Sequence, residues 1–225
     1  MTDNELKKRT LTREDRLAGW LTETEYLKLA ESEALIDKGD YDKAIELLVP
    51  IAEKDCLQAQ VMLGALYFDG GHDCCDSEKS FEWFKRAAEF GDAHAQFCLA
   101  NCYNYDKENS FEAFKWYYKS AEQGYGPGEL NLGHCYAQGH GVEKDPVEAV
   151  KWYRKAAEKG FFLAFKSLAS CYANGVGVEK DEVEAAKLEK EAGIAIKEGI
   201  RRFVSIPSHN LKIKKDEKQE LGKAR

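Results

Sequence analysis

The sequence predicts an all-α fold, a right-handed α-α superhelix (solenoid) of about five antiparallel helix pairs. Two observations carry that prediction. The first is a repeat: Leu63-Gly64-x-x-Tyr67 returns as Leu99-Ala100-x-x-Tyr103, Leu132-Gly133-x-x-Tyr136 and Leu168-Ala169-x-x-Tyr172, with Tyr-to-Tyr steps of 36, 33 and 36 residues. A period in that range marks stacked supersecondary units, each of which needs its neighbours to bury its apolar face. The second is the punctuation between copies, a Gly-rich connection, an Asp, a Trp and a closing Gly, which starts and stops two helices per copy.

Taken in chain order, Thr22 opens the first helix, Glu25 completes a capping box, and the helix runs to about Asp37. Lys38-Gly39-Asp40-Tyr41 turns the chain into a second helix carrying Ala44, Leu47 and Leu48. The copies around Tyr67 and Tyr103 follow, and the step from Tyr103 to Trp116 is three residues shorter than in the other copies, so that connection has lost its Gly-x-Gly. In the third copy the first helix spans about 128–138, with Leu132 and Tyr136 one turn apart on its inner face. Gly139-x-Gly141-Val142 makes the connection, where glycine allows backbone angles that other residues resist. Asp145 is the N-cap of the second helix, with Pro146 at the first helical position and Glu148 completing a capping box. Asp181-x-x-Glu184 and Asn109-x-x-Glu112 repeat that signature. The fourth copy has Leu188 in place of Trp, Gly193 for an alanine and Ile196 for the closing Gly. Beyond it, Ile194, Ile196, Ile200 and Phe203 predict a further amphipathic helix that closes the open end.

Leu-Gly-x-x-Tyr, Gly-x-Gly-Val-x-x-Asp, Ala-x-x-Trp and Ala-Ala-Glu-x-Gly together resemble the Sel1-like repeat, most completely in the third copy. The segment from Lys38 to Leu48 resembles the junction of a tetratricopeptide repeat. The likeness runs from about residue 22 to 193. The division expected is a charged N-terminal segment (1–21), a repeat domain (22–199) and a C-terminal cap end with a basic tail (200–225). The resemblance implies a non-enzymatic adaptor or scaffold that binds another protein, with roles in assembly, signalling or secretion.

Charge narrows the partner. The net charge is −7, yet residues 201–225 hold eight Lys/Arg against three acids, a surplus of +5 that leaves −12 for the first 200. An acidic body argues against nucleic acid, because phosphate neutralisation needs a basic surface. It favours basic or mixed protein partners, and it admits an inhibitor or immunity-type protein that masks a basic effector. No stretch approaches the ~20 apolar residues of a membrane span, and residues 1–16 lack the apolar core of a signal peptide. The expected setting is cytoplasmic, with no membrane partner, and the expected state is a monomer.

Chemistry is sparse. Cys102, Cys135 and Cys171 recur immediately before the Tyr, which reads as packing, and Cys98 lies one turn from Cys102. Gly71-His72-Asp73-Cys74-Cys75-Asp76 offers soft ligands, which leaves a Cys/His-dependent enzyme or a metal/redox protein as the other class of function. Adjacent cysteines lack the spacing that lets two thiolates face one ion. His134 and Cys135 are chain neighbours on a helix, about 100° apart, and cannot form a dyad. No catalytic residue, cofactor or metal ligand is therefore expected.

In stacked pairs the first helices line the concave face. The tetratricopeptide resemblance then implies that positions flanking the Gly/Ala and Tyr anchors point into the groove: Phe68 and Asp69, then His94, Phe97, Asn101, Asn104 and Tyr105, then Leu130, His134 and Gln138. Aromatic anchors dominate interface energetics, and Asn can hydrogen-bond a peptide backbone. Asn101→Ala is expected to spare stability and weaken partner binding. Trp152→Ala, as the truncation of a large core residue, is expected to cost about 3–5 kcal/mol. A thermal melt followed by circular dichroism checks it, and an unchanged melt would refute Trp152 as a packing residue.

Overall fold

The computed structural model describes residues 21–68, 76–105 and 109–204. Among them are ten helices and no strand: α1 (Glu23–Ile36), α2 (Tyr41–Ala52), α3 (Leu57–Phe68), α4 (Ser77–Glu89), α5 (Ala93–Tyr105), α6 (Ser110–Glu122), α7 (Gly126–Gln138), α8 (Pro146–Glu158), α9 (Phe162–Asn174) and α10 (Glu182–Val204). The chain forms two compact units that divide between Lys144 and Asp145, inside the third copy of the repeat. In the first unit each helix from α1 to α7 packs on the next, and α5 also touches α7. In the second unit α8 packs on α9 and α9 on α10.

The start signals act as the sequence requires. Thr22 and Glu25 form a reciprocal capping box on α1, and Lys54, just past α2, pairs with the same Glu25 carboxylate. Hydrogen bonds from Lys54 and from Thr22 hold the Glu25 carboxyl at about 2, well below the usual carboxylate range. Asp76, Asp145 and Asp181 each accept two backbone N–H groups in the first turn of their helices. Glu148 and Glu112, expected to complete capping boxes, receive Lys151 and Lys115 at 2.6 and 2.7 Å. Asn109 departs from the expectation: it stands at the N-cap of α6 with φ −105° and ψ 22° and makes no side-chain cap hydrogen bond. A cap needs extended backbone to aim its side chain at the first turn, and the shortened connection before Asn109 does not supply it.

The recurring Tyr and Asp are joined through the main chain. The Asp76 N–H donates to the Tyr67 carbonyl at 3.0 Å, and the Asp181 N–H donates to the Tyr172 carbonyl at 2.9 Å. This bond explains their nine-residue spacing, because it ties the end of one helix to the cap of the next. The small residue of Leu-Gly-x-x-Tyr is explained by a close approach: a β-carbon on Gly64 would lie 2.6 Å from the Phe84 ring. Leu63, Leu99, Leu132 and Leu168 are all buried beside it, each contributing about 1.5–3 kcal/mol of apolar transfer. Successive copies interlock through aromatic edges, Phe81 on Tyr103 at 5.1 Å and Phe114 on Tyr136 at 5.5 Å. Trp83, Trp116 and Trp152 each also carry a cation three residues on. Arg86 lies 5.1 Å from the Trp83 ring, Lys119 3.7 Å from Trp116 and Lys155 3.7 Å from Trp152.

Two boundaries differ from the sequence reading. Helix α7 begins at Gly126, with Pro127 in its first turn, rather than at about Gly128. The separate closing helix expected beyond Gly193 is the continuation of α10, which runs unbroken for 23 residues. The reason is the missing stop: Ile196 stands where Gly91, Gly124 and Gly160 end α4, α6 and α8, and no proline lies between it and Val204 to block hydrogen bonding. The segment Gly71–Cys75, Asp69 and the basic tail beyond residue 204 lie outside the described residues.

Gly141 and Gly177 are the most constrained positions. Both have left-handed backbone, and a β-carbon would lie 2.1 Å from the Ser110 carbonyl oxygen at Gly141 and 2.1 Å from that of Pro146 at Gly177. Gly160 shares the left-handed φ but has open space around it. Gly160→Ala should therefore cost only the backbone strain, about 1–3 kcal/mol, and Gly177→Ala about 1–3 kcal/mol more for the clash. Urea unfolding midpoints compare the two, and equal losses would disprove the close approach.

Candidate functional site

The expected site residues divide between packing and exposure. Phe68 ends α3, 41% exposed, with its ring edge-on to Phe84. His94 is exposed at the start of α5, 5.7 Å from the Tyr125 ring, with Nε2 3.4 Å from Cys98 Sγ. Phe97 is half-buried between Tyr117 and Tyr125, at 6.1 and 5.6 Å. Tyr105 is the last residue of α5, and its side chain lies outside the described residues. Leu130 is buried.

Asn104, His134 and Gln138 are brought together. They line a cavity of about 570 Å³ with Ser110, Tyr117, Asn131, Cys135, Gly139 and His140. All of these residues lie in the first compact unit, on α5, α6, α7 and the turn that follows α7. Asn104 and Gln138 are exposed, and His134 is half-buried. Burial holds the His134 imidazole below the usual histidine range, so it is neutral at neutral pH.

Behind the cavity runs a polar relay across three helices. Tyr117 on α6 is 3% exposed, and its hydroxyl donates to Asn101 Oδ1 on α5 at 2.6 Å. Burial raises the Tyr117 phenol, and a side-chain hydrogen bond with Asn131 on α7 works against that rise. Sequence reasoning missed Tyr117, Asn131, Ser110 and His140. Tyr117 follows Trp116 as Phe84 follows Trp83 and Tyr153 follows Trp152, so its recurrence signals a core ring and conceals a hydroxyl with polar neighbours.

The thiols of Cys98, Cys102, Cys135 and Cys171 are poor nucleophiles. Burial pushes Cys98 up to about 12 and Cys135 up to about 11, and it raises Cys102 and Cys171 as well. The thiolate is the reactive form, so the His94–Cys98 contact, which an i,i+4 spacing could have revealed, is a packed pair rather than an activated dyad. Among the described residues, no three His, Cys, Asp or Glu side chains are grouped so as to hold a metal ion. Among them too, no helix is long and apolar enough to cross a membrane.

The family model described as Sel1 repeat matches residues 57–92, 93–125, 127–161 and 166–192, more than half of the chain. Among solved structures, the chain is 30% identical to a Sel1 repeat protein from Oxalobacter formigenes, with a TM-score of 0.68 over 74% of this chain and 69% of that one. It is 29% identical to a protective antigen present in uropathogenic Escherichia coli strains that displays an SLR fold, with a TM-score of 0.67. That match covers 77% of this chain and 42% of the other, so this chain spans about two fifths of the antigen's length. The structure of MamA protein, 22% identical with a TM-score of 0.54 over 80% of this chain and 96% of that one, shares the fold. No curated protein matches the chain.

The relay changes the expectation for Asn101→Ala. Removing the carboxamide takes an acceptor from a buried hydroxyl, and stability should fall by about 1–3 kcal/mol. Urea unfolding of this variant and of Tyr117→Phe checks it. If Tyr117→Phe unfolds like wild type while Asn101→Ala is destabilised, the loss belongs to the orphaned hydroxyl; if both match wild type, the relay carries no energy.

Proposed function

The chain belongs to the Sel1 repeat family, and on that premise we propose that it is a non-enzymatic interaction module, an adaptor or scaffold that holds a segment of another protein along α5 and α7. The observation that supports this reading most is the meeting of exposed and half-buried imidazole and amide groups of those two helices around one cavity, with the half-buried Phe97 ring earlier on α5. Aromatic rings supply contact area with few rotors to freeze, and amides supply both donors and acceptors. His94 and Phe97 flank the Tyr125 ring at one end of α5, and Asn104 enters the cavity near the other. A helix of 13 residues is about 20 Å long, room for roughly six residues of extended chain.

The reading extends to the setting. Residues 22–199 act as the interaction domain of a cytoplasmic monomer, a placement supported by Cys56, Cys98, Cys102, Cys135 and Cys171, all free thiols. The non-enzymatic part is supported by thiols held in their protonated form by burial.

Affinity capture from lysate of the source organism tests the proposal, comparing wild type with the double variant Asn104→Ala, Gln138→Ala. Both residues are exposed, so circular dichroism should show an intact fold. A protein held by wild type should be recovered at least about tenfold less with the variant. Equal recovery would overturn the placement on α5 and α7, and the absence of any specific partner would overturn the interaction reading itself.

A further inference from the structure

We propose that the 570 Å³ cavity is a subsite for a neutral carboxamide of the bound polypeptide, a backbone amide or the side-chain amide of Asn or Gln. The inference rests on the interaction reading above and adds the chemistry the cavity selects. Beside Cys135 and Gly139, its lining carries the amides of Asn104, Asn131 and Gln138, the hydroxyls of Ser110 and Tyr117, and the imidazoles of His134 and His140. An apolar group placed there would strip water from these donors and acceptors and return nothing.

Charge excludes the other polar guests. Among the described residues lining the cavity there is no Lys, Arg, Asp or Glu. A carboxylate would lose hydration without meeting a cation, since burial keeps His134 neutral. An ammonium would find no carboxylate among those described residues. A carboxamide matches the lining on both counts, because it is uncharged and carries an acceptor oxygen beside donor hydrogens.

The wall is also set before anything binds. The Tyr117 hydroxyl donates to Asn101 Oδ1 at 2.6 Å, and Tyr117 is itself fixed by burial. A hydroxyl held in place in the free protein loses little rotamer freedom on binding, and that saving becomes affinity. The volume is that of a ligand pocket and exceeds what a single water-filled crevice needs.

Isothermal titration and ¹⁵N spectra of the histidine rings test this with four capped tripeptides: acetyl-Ala-Gln-Ala-amide, its isosteric Glu counterpart, its Lys counterpart and acetyl-Ala-Ala-Ala-amide. The Gln peptide should bind at least tenfold tighter than the Glu and Lys peptides at pH 7 and should shift the His134 ring resonances. Gln138→Ala, an exposed position, should weaken it severalfold with the fold intact. An Ala peptide as tight as the Gln peptide assigns the site to backbone amides, and a weaker one assigns it to side-chain amides. Where the Ala peptide is weaker than the Gln peptide, a Glu or Lys peptide that binds as tightly as the Gln peptide overturns the proposal, and a His134 ring that none of the four moves overturns it in either case. If the tripeptides fail while the Asn104→Ala, Gln138→Ala variant still loses its protein partner, the carboxamide subsite falls and the interaction reading stands.

Discussion

In each compact unit the register between helix pairs depends on one close approach. The second glycine of a Gly-x-Gly turn lies against the main-chain carbonyl that opens the preceding second helix, Gly141 on Ser110 and Gly177 on Pro146. At both positions a β-carbon would overlap the carbonyl oxygen, and the left-handed backbone penalises one independently. Because the contact is backbone on backbone, it sets the spacing of the helices without reference to the side chains around them. Those side chains can then vary: an aromatic pair, Phe114 with Tyr136, sits at a joint where the corresponding residue one copy later is Val150.

The cavity stands beside the copy that breaks this rule. Asn104 and Ser110 flank the connection that is three residues shorter than its counterparts and lacks the Gly-x-Gly. Asn109, which follows that connection, has also lost the extended conformation of a capping residue. Regular copies fill the space between second and first helices with apolar edges, as Phe81 does against Tyr103. At the irregular copy the corresponding edge, Phe114 on Tyr136, is joined by a cavity lined by amides, hydroxyls and imidazoles beside Cys135 and Gly139. The departure from the repeat and the place best equipped for recognition therefore coincide in one stretch of the chain.

What the sequence revealed follows from the range of the forces involved. Caps at Thr22, Asp76, Asp145 and Asp181 were legible because a cap is a contact between residues two or three apart. The packing role of Cys135 was legible because recurrence before the Tyr places it on the inner stripe of a helix. The continuity of α10 was missed, although the replacement of its stop residue by Ile196 was already in view, because an apolar residue after a small one reads equally as a new helix or as an unbroken one. The role of Asn101 was missed for a different reason. Its partner Tyr117 is 16 residues away on another helix, and side-chain direction across a helix–helix joint depends on crossing geometry that spacing alone does not encode. The cavity is the extreme case, since its lining comes from three helices and a turn.

Charge and recognition are separated in this molecule. The body is strongly acidic over its first 200 residues, and many of its carboxylates are spent locally on exposed lysines three residues away, as at Glu112, Glu148 and Glu184. Such pairs contribute little to stability, and the excess charge is screened beyond about 8–10 Å at physiological salt. It can raise the rate at which a basic surface arrives, and it cannot tell one bound segment from another. Discrimination needs partly desolvated groups at fixed positions, and the described groups of that kind at the cavity, Tyr117 with its partner Asn101 and the half-buried His134 imidazole, are uncharged. In the proposed mode of binding, affinity for the correct segment should therefore resist salt even though its association rate does not. A chain with this net charge would lead one to expect the opposite if its partner were selected by surface potential alone.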